Sequence, residues 1–364
     1  MRPTFAAVDL RAIARNFQLL RRRSGKRVLA VVKADAYGHG AAAVATALEA
    51  EGADFFCVAL AEEGIALRRA GIRSPILLLN SCEAREAAVY RSLALTPTLF
   101  SVEQAREFAA ATASFASPLA VHVKLDTGLT RLGVMPAEIP ALAEVLRSAP
   151  GLRVEAAFTH FSHGDEPDSP ELALQEERSK EAFAALRAAG VDAGWTHLAN
   201  SGAAIAGKGV WTEAVRPGLS LYGVSPAAGH GGELAPALSW ETEVVAVKSV
   251  PAGTPVGYGG TFVTGRDSRL AVLAIGYDDG YRRSFGGKVP VLFEAGAVRT
   301  VGVISMDLTV CDTTDIEVRR GERAVLLGKT AAGSVSAHDL ARAAGTIPYE
   351  ILCGIGSRVP RRYP

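Results

Sequence analysis

Eight short apolar runs, separated by longer amphipathic stretches, fill the first 230 residues of this 364-residue chain. The runs lie at 28–33, 55–60, 75–80, 95–100, 119–125, 154–161, 195–199 and 214–222. Continuous apolar runs of this length suit strands covered on both faces. Between them, stretches such as 41–51, 62–70, 102–110 and 175–189 repeat their apolar residues at helical spacing. Before the first run, residues 9–23 read as a helix, with Asp9 at its start and Leu10, Ile13, Phe17 and Leu20 on one face. Eight strands each followed by a helix predict an α/β fold of the (β/α)8 TIM barrel type. An open doubly wound sheet is the alternative, and the count of eight favours the barrel.

The pattern changes near residue 230, where Ala227-Ala228-Gly229-His230-Gly231-Gly232 reads as a linker. Beyond it come strand-like runs at 243–250, 254–262, 270–275, 289–293, 298–305 and 323–327, interrupted by one helix near 336–344. The expected organisation is a barrel over 1–230 and a mostly β C-terminal domain over 231–364.

Composition removes several functions. A net charge of +1 argues against a polybasic nucleic-acid or membrane surface. No stretch approaches the roughly 18 uninterrupted apolar residues of a membrane span. Met1-Arg2-Pro3-Thr4-Phe5 lacks the apolar core of a secretory signal. Cys57, Cys82, Cys311 and Cys353 are scattered, with no metal-ligand spacing, so reduced, buried thiols of a cytoplasmic protein are expected and no metal site.

Barrel chemistry belongs at the C-terminal ends of strands. Lys33 ends the first run and precedes Ala34-Asp35-Ala36-Tyr37-Gly38-His39-Gly40. A lone strand-end lysine usually just reaches solvent. In a partly apolar mouth, however, it can lose its proton and form an imine with an aldehyde cofactor, while a tyrosine four residues on holds a phosphate. The fifth run ends in His122-Val123-Lys124-Leu125-Asp126-Thr127-Gly128, followed by Arg131. An inward Lys124 needs a carboxylate partner or a chemical change. Arg131 can clamp a carboxylate or a phenolic oxygen, and Asp126 is equally well read as a turn cap. His160 closes the sixth run, where a satisfied core histidine is the competing reading. His197-Leu198-Ala199-Asn200-Ser201-Gly202 and Arg216-Pro217-Gly218-Leu219 close the last two. Barrels often bind phosphate at these two loops. A buried Arg216 requires an acceptor, and a pyridine nitrogen is one. In the β domain, Tyr258 sits among glycines, and Tyr277, Met306 and Asp307 lie at two strand ends. Each alone is compatible with ordinary turn chemistry.

Taken together, these strings resemble the alanine racemase family. The likeness runs from Val8-Asp9-Leu10 to Tyr349-Glu350-Ile351-Leu352-Cys353 and Ser357-Arg358-Val359-Pro360-Arg361, and it is most specific over Val32–Gly40. The resemblance implies pyridoxal 5'-phosphate as cofactor, a barrel and a β domain. It implies Lys33 as cofactor lysine and first base, and Tyr258 as second base. Tyr37, Ser201, Gly218 and Leu219 would hold the phosphate, Asn200 would also belong to the cofactor site, and His160 would lie against the ring. His197 would steady Arg216 at the pyridine nitrogen. Arg131 and the backbone of Met306 would orient the substrate carboxylate, with Lys124, Tyr277 and Asp307 in support. Lys124 matches a position that is often carboxylated. A head-to-tail homodimer would share its sites, and D-alanine would go to peptidoglycan. The chain departs from the family pattern at Thr130, where glycine is common, and at Gly257, where serine is common. A tyrosine near Ser357 and an arginine within Val301-Gly302-Val303 are missing.

Two fixed bases on opposite faces suit inversion of an α-carbon, because one base would have to move. Three other readings compete. A non-catalytic carrier of the same cofactor predicts no large β domain and no second base. A racemase for serine or a basic amino acid differs only in pocket lining. A barrel decarboxylase would favour a reactive cysteine beside an acid, for which Cys311-Asp312 is the candidate.

Overall fold

The computed structural model describes residues 3–80 and 82–364, so Met1 and Arg2 of the leader reading lie outside the described residues. The chain forms two compact units: Arg11–Pro236, and the segment through Leu10 joined with Ala237–Pro364.

The first unit is a closed parallel barrel. Its strands are Arg27–Val31, Phe55–Val58, Ile76–Leu78, Leu95–Thr96 with Thr98–Leu99, Leu119–Lys124, Leu152–Phe158, Trp195–His197 and Ala214–Val215. The fourth is one strand in two pieces, because Pro97 has no N–H for the ladder. On one side of the break Leu77 pairs with Thr96, and on the other Thr98 pairs with His122. Ala214 pairs with both Arg27 and His197, so every strand has two neighbours. Val28, Leu29, Phe56, Leu77, Val121, Val123 and Ala157 are fully buried, as strands covered on both faces require. The helix read at 175–189 begins earlier, at Pro170. Ser169 caps it by accepting the Leu172 N–H at 3.2 Å, and proline is favoured at the first turn. The eighth run forms a strand only over Ala214–Val215; Leu219–Tyr222 is a 3-10 turn.

The second unit is mostly β. The long strand Leu238–Val250 pairs with Phe5–Val8, Arg323–Thr330 and Ser268–Leu273. Register shifts at Trp240/Glu241 and Val244/Ala246 let one strand serve partners on different sheets. Trp240, Tyr281, Phe285 and Phe293 fill its core. Two expected strands are shorter. The 298–305 run is a strand only over Ala297–Arg299, since Gly302 turns the chain with φ +67°. The 254–262 run is a hairpin, Pro255–Val256 against Phe262–Val263, around a glycine loop. A second helix, Pro348–Cys353, was not anticipated. No helix among the described residues is long and apolar enough to cross a membrane.

Candidate active site

The residues that follow the barrel strands converge. After Arg27–Val31 the chain makes a left-handed turn: Ala34, Asp35, Ala36 and Tyr37 all have φ between +51° and +54°. Four consecutive non-glycine residues in this region need external support. His39 Nδ1 lies 3.0 Å from both the Ala36 and Tyr37 carbonyls. Glu63 Oε1 accepts the Ala34 N–H at 2.7 Å, and Asp35 accepts that of Ala41 at 2.7 Å. The turn thereby holds Lys33 and Tyr37 on a rigid mount. The glycines of this string, Gly38 and Gly40, also have positive φ, at +80° and +91°, but the left-handed stretch begins ahead of them, on two alanines, an aspartate and a tyrosine.

Tyr37, 7% exposed, meets the loops after the last two strands. A Cβ on Gly218 would stand 2.4 Å from the Tyr37 hydroxyl oxygen. Ser201 Oγ accepts the N–H groups of Gly218 at 2.8 Å and Ser220 at 3.3 Å, which leaves its own O–H to donate. Two hydroxyls and a glycine too close-fitted for any side chain make a cradle for an anionic oxygen group. Leu219 opens the 3-10 turn beside it. Asn200 acts as a helix cap here: its Oδ1 accepts the Ala203 N–H at 3.1 Å.

Arg216 is 3% exposed. One guanidinium nitrogen donates to His197 Nδ1 at 2.5 Å. The other reaches the carbonyls of Thr159 at 2.6 Å and Leu198 at 3.0 Å, and His160 Nδ1 at 3.2 Å. Burial lowers its pKa to about 10, so it remains charged at neutral pH. His160 and His197 are held well below the ordinary imidazole range, first by burial and then by Arg216, and both are neutral donors or acceptors. Lys124 is 3% exposed, lies 5.7 Å above the Phe158 ring, and is pushed down to about 8 by burial and by Arg131 and Arg216. Asp126 is the turn cap of its loop, since Oδ1 accepts the N–H groups of Gly128, Leu129 and Thr130 at 2.9–3.1 Å. Arg131 is exposed at the end of that loop.

In the second unit, Tyr258 is 76% exposed, on a turn where Gly257, Gly259 and Gly260 all have positive φ. Tyr277 donates its N–H to Ser305 at 2.9 Å, and Asp278 donates to the Met306 carbonyl at 3.2 Å, so Tyr277, Met306 and Asp307 share one corner. Sequence reasoning missed what locks that corner. Arg358 reaches Asp278, Asp279 at 3.0 Å and Asp307 at 2.5 Å. An arginine inside the Ser357–Arg361 string was the available signal. Asp307 is therefore a partner of Arg358. Cys311 is fully buried with its thiol pushed up by burial, which removes the decarboxylase reading. Cys353 is exposed, against the expectation of four buried thiols, because it ends the short surface helix Pro348–Cys353.

Comparison with known proteins fits this geometry. Residues 8–226 match the alanine racemase N-terminal domain and 237–363 the alanine racemase C-terminal domain. The chain is 41% identical to the alanine racemase of Symbiobacterium thermophilum, covering 100% of this chain and 97% of that one. It is 40% identical to that of Pseudomonas fluorescens, covering 100% and 99%. The alanine racemase of Bacillus anthracis, solved with bound L-Ala-P, superposes with a TM-score of 0.94 at 34% identity, covering 100% of this chain and 95% of that one. That of Bartonella henselae, solved with covalently bound pyridoxal phosphate, gives 0.91 at 29% identity and full coverage of both chains.

Proposed function

The chain belongs to the alanine racemase family and is an isomerase that interconverts L- and D-alanine; from that premise we propose that it works with pyridoxal 5'-phosphate, using Lys33 and Tyr258 as its two proton carriers. The observation that carries the cofactor reading is the cradle, in which Gly218 admits no side chain against the Tyr37 hydroxyl and Ser201 presents a donor. Tyr37, Ser201, Gly218 and Leu219 would hold the phosphate, and Asn200 would fix the loop that carries Ser201. The buried, charged Arg216 fits the ring nitrogen, and His160, in contact with it, fits a place against the ring. The Bartonella relative holds this cofactor covalently. When bound, the group withdraws electrons from the substrate α-carbon and makes its proton acidic.

The remaining work falls to side chains. Arg131 and the Met306 backbone would orient the substrate carboxylate, so that the α-carbon is presented to two bases. Lys33 Nζ would take and return the proton of the D-enantiomer, and Tyr258 Oη that of the L-enantiomer. Arg216 keeps its own proton at neutral pH and so does not protonate the nitrogen it faces. Held by Arg216, the group would supply a weaker electron sink, which would disfavour transamination. Lys124, nearly buried and with its pKa lowered to about 8, is partly neutral at physiological pH and able to take up carbon dioxide as a carbamate; Tyr277 and Asp307 would support the Met306 corner.

The active unit in this reading is a head-to-tail homodimer with shared sites. Support comes from the exposed Tyr258, Tyr277, Met306 and Leu308, side chains that a lone chain would rarely leave in water together. The product would serve peptidoglycan synthesis in the cytoplasm. Borohydride reduction followed by peptide mapping tests the cofactor assignment. The expected result is a pyridoxyl label on the peptide containing Lys33. A label on Lys124, or no retained cofactor, would refute it.

A further inference from the structure

Arg216 poses an electrostatic problem that its own contacts do not solve. It is a buried cation whose four described acceptors are two carbonyls and two imidazole nitrogens, with no carboxylate among them. A buried charge of this kind is costly without a counter-charge. The chain of contacts continues beyond His197. His197 Nε2 lies 3.0 Å from His122 Nδ1, and both rings are fully buried. His122 Nε2 makes no full hydrogen bond, but it faces Glu155 Oε2 at 3.5 Å.

The donors and acceptors can be ordered. Arginine only donates, so His197 Nδ1 must be an acceptor. A neutral imidazole carries one proton, so that of His197 sits on Nε2 and is donated to His122 Nδ1. His122 then carries its proton on Nε2, directed at the Glu155 carboxylate. Both imidazoles are neutral, because burial holds each below its ordinary range. The Glu155 carboxylate is kept ionised, first by His122 and also by Arg153, whose guanidinium stands 3.7 Å away. The rings cannot easily turn over. Phe158 stacks on His197 at 4.6 Å, and the Trp195 ring meets His122 edge-on at 5.1 Å. Arg27, above Trp195, is the other cation at this end.

We propose that His122 and Glu155 are positioning residues for the racemisation: Arg216 sets the tautomer of each histidine from one end, and Glu155, the acceptor at the other end, closes the relay that keeps Arg216 aimed. The inference rests on the functional reading above for what Arg216 faces, but the order of protons in the relay does not. It uses four side chains of one unit, from the sixth, fifth, seventh and eighth strand regions, Leu152–Phe158, Leu119–Lys124, Trp195–His197 and the residue after Ala214–Val215.

Nitrogen NMR on the cofactor-loaded enzyme labelled with 15N-histidine reads the relay directly. The seven histidines are assigned by single substitutions. Both His122 and His197 should be neutral and protonated at Nε2 at pH 7. A proton on Nδ1 of either, or an imidazolium, overturns the proposal. Glu155→Gln removes the charge at a part-exposed position and offers either an acceptor or a donor to His122. A hydrogen-bond partner that carries a charge is worth roughly tenfold in an equilibrium. The variant should move the His122 Nε2 resonance, leave both tautomers in place because Arg216 still donates to His197, and lose about tenfold in kcat with KM within about twofold, whereas Glu155→Asp keeps that resonance near its native place. Native kcat and an unmoved His122 Nε2 resonance in Glu155→Gln would overturn the role of Glu155. If the borohydride label is missing from Lys33 while the tautomers stand, the cofactor reading fails and the relay survives.

Discussion

Replacing Gly218 by alanine tests the cradle at its tightest point. The new Cβ would lie 2.4 Å from the Tyr37 hydroxyl oxygen and 2.8 Å from the carbon that bears it, where real Cβ contacts do not fall below 3.0 Å. The atoms must therefore part by at least about 0.6 Å, and more to reach a comfortable contact. Neither side has room. Tyr37 rides on the left-handed turn and packs at 5.1 Å against Tyr222, whose hydroxyl is tied to the Val31 carbonyl at 2.8 Å. Gly218 is tied to Ser201. Overpacking of this kind costs about 1–3 kcal/mol of stability. Displacing the Tyr37 hydroxyl also forfeits one hydrogen bond to a charged group, about 1.5–3 kcal/mol, or roughly 10- to 100-fold in cofactor affinity. Absorbance titration of the cofactor-depleted enzyme measures that loss, and thermal unfolding measures the strain. The double variant Gly218→Ala/Tyr37→Phe removes the colliding oxygen. It should regain much of the stability but none of the cofactor affinity, a non-additive cycle. Native affinity in Gly218→Ala would show that the cradle is not where the phosphate sits, and strain untouched by Tyr37→Phe would refute the collision with the hydroxyl.

Other expectations follow from the same geometry. Tyr258→Phe should retain cofactor and colour, lose about 10²–10⁴-fold in racemisation, and still exchange the α-proton of D-alanine with deuterated solvent; native racemisation would make Tyr258 a wall of the pocket and turn attention to Tyr277. Lys124, held at about 8 by burial, costs the folded state most below pH 8, where the lysine is charged whether folded or not. As pH rises from 8 towards 10.5 the folded form alone sheds its proton, so in bicarbonate-free buffer the wild type should gain stability relative to Lys124→Met across that window in a pH series of unfolding midpoints. Thr130 is a β-branched residue at φ +54°. Thr130→Gly should relieve about 1–2 kcal/mol of backbone strain, offset by about 0.5–1 kcal/mol of glycine entropy, and calorimetry should find the variant slightly more stable.

The barrel was legible because buried parallel strands write themselves as continuous apolar runs, and the loops after them carry charges that have no other reason to be there. Lys33, Lys124, His197 and Arg216 all announced themselves in this way. Phe5–Val8 did not, since its partner begins at Leu238, and pairing over such a separation leaves no local mark. The run at 298–305 misled because it is apolar enough for a strand, while Gly302 bends it so close to the Val256 carbonyl that an added Cβ would stand 2.7 Å from that oxygen, a tertiary constraint. His122 was quoted within its strand and passed over, because a lone inward histidine usually reads as core. Its contacts with His197 and Glu155 exist only once three strands are side by side. The three aspartates on Arg358 were hidden for the same reason.

The turn from Ala34 to Tyr37 has a stereochemical consequence. Its dihedrals, near φ +53° and ψ +40° to +51°, are the mirror image of an ordinary helix. An L-residue there sets its Cβ against the following carbonyl, at about 1–2 kcal/mol each; a D-residue would be at rest. The enzyme that inverts alanine thus carries two L-alanines, Ala34 and Ala36, in the backbone shape that D-alanine prefers. Chemical synthesis with D-alanine at those two positions should relax the mount of Lys33 without changing one side-chain atom. Comparing the two diastereomers would separate how much of that lysine's placement comes from its neighbours' chirality and how much from the contacts of His39 and Glu63.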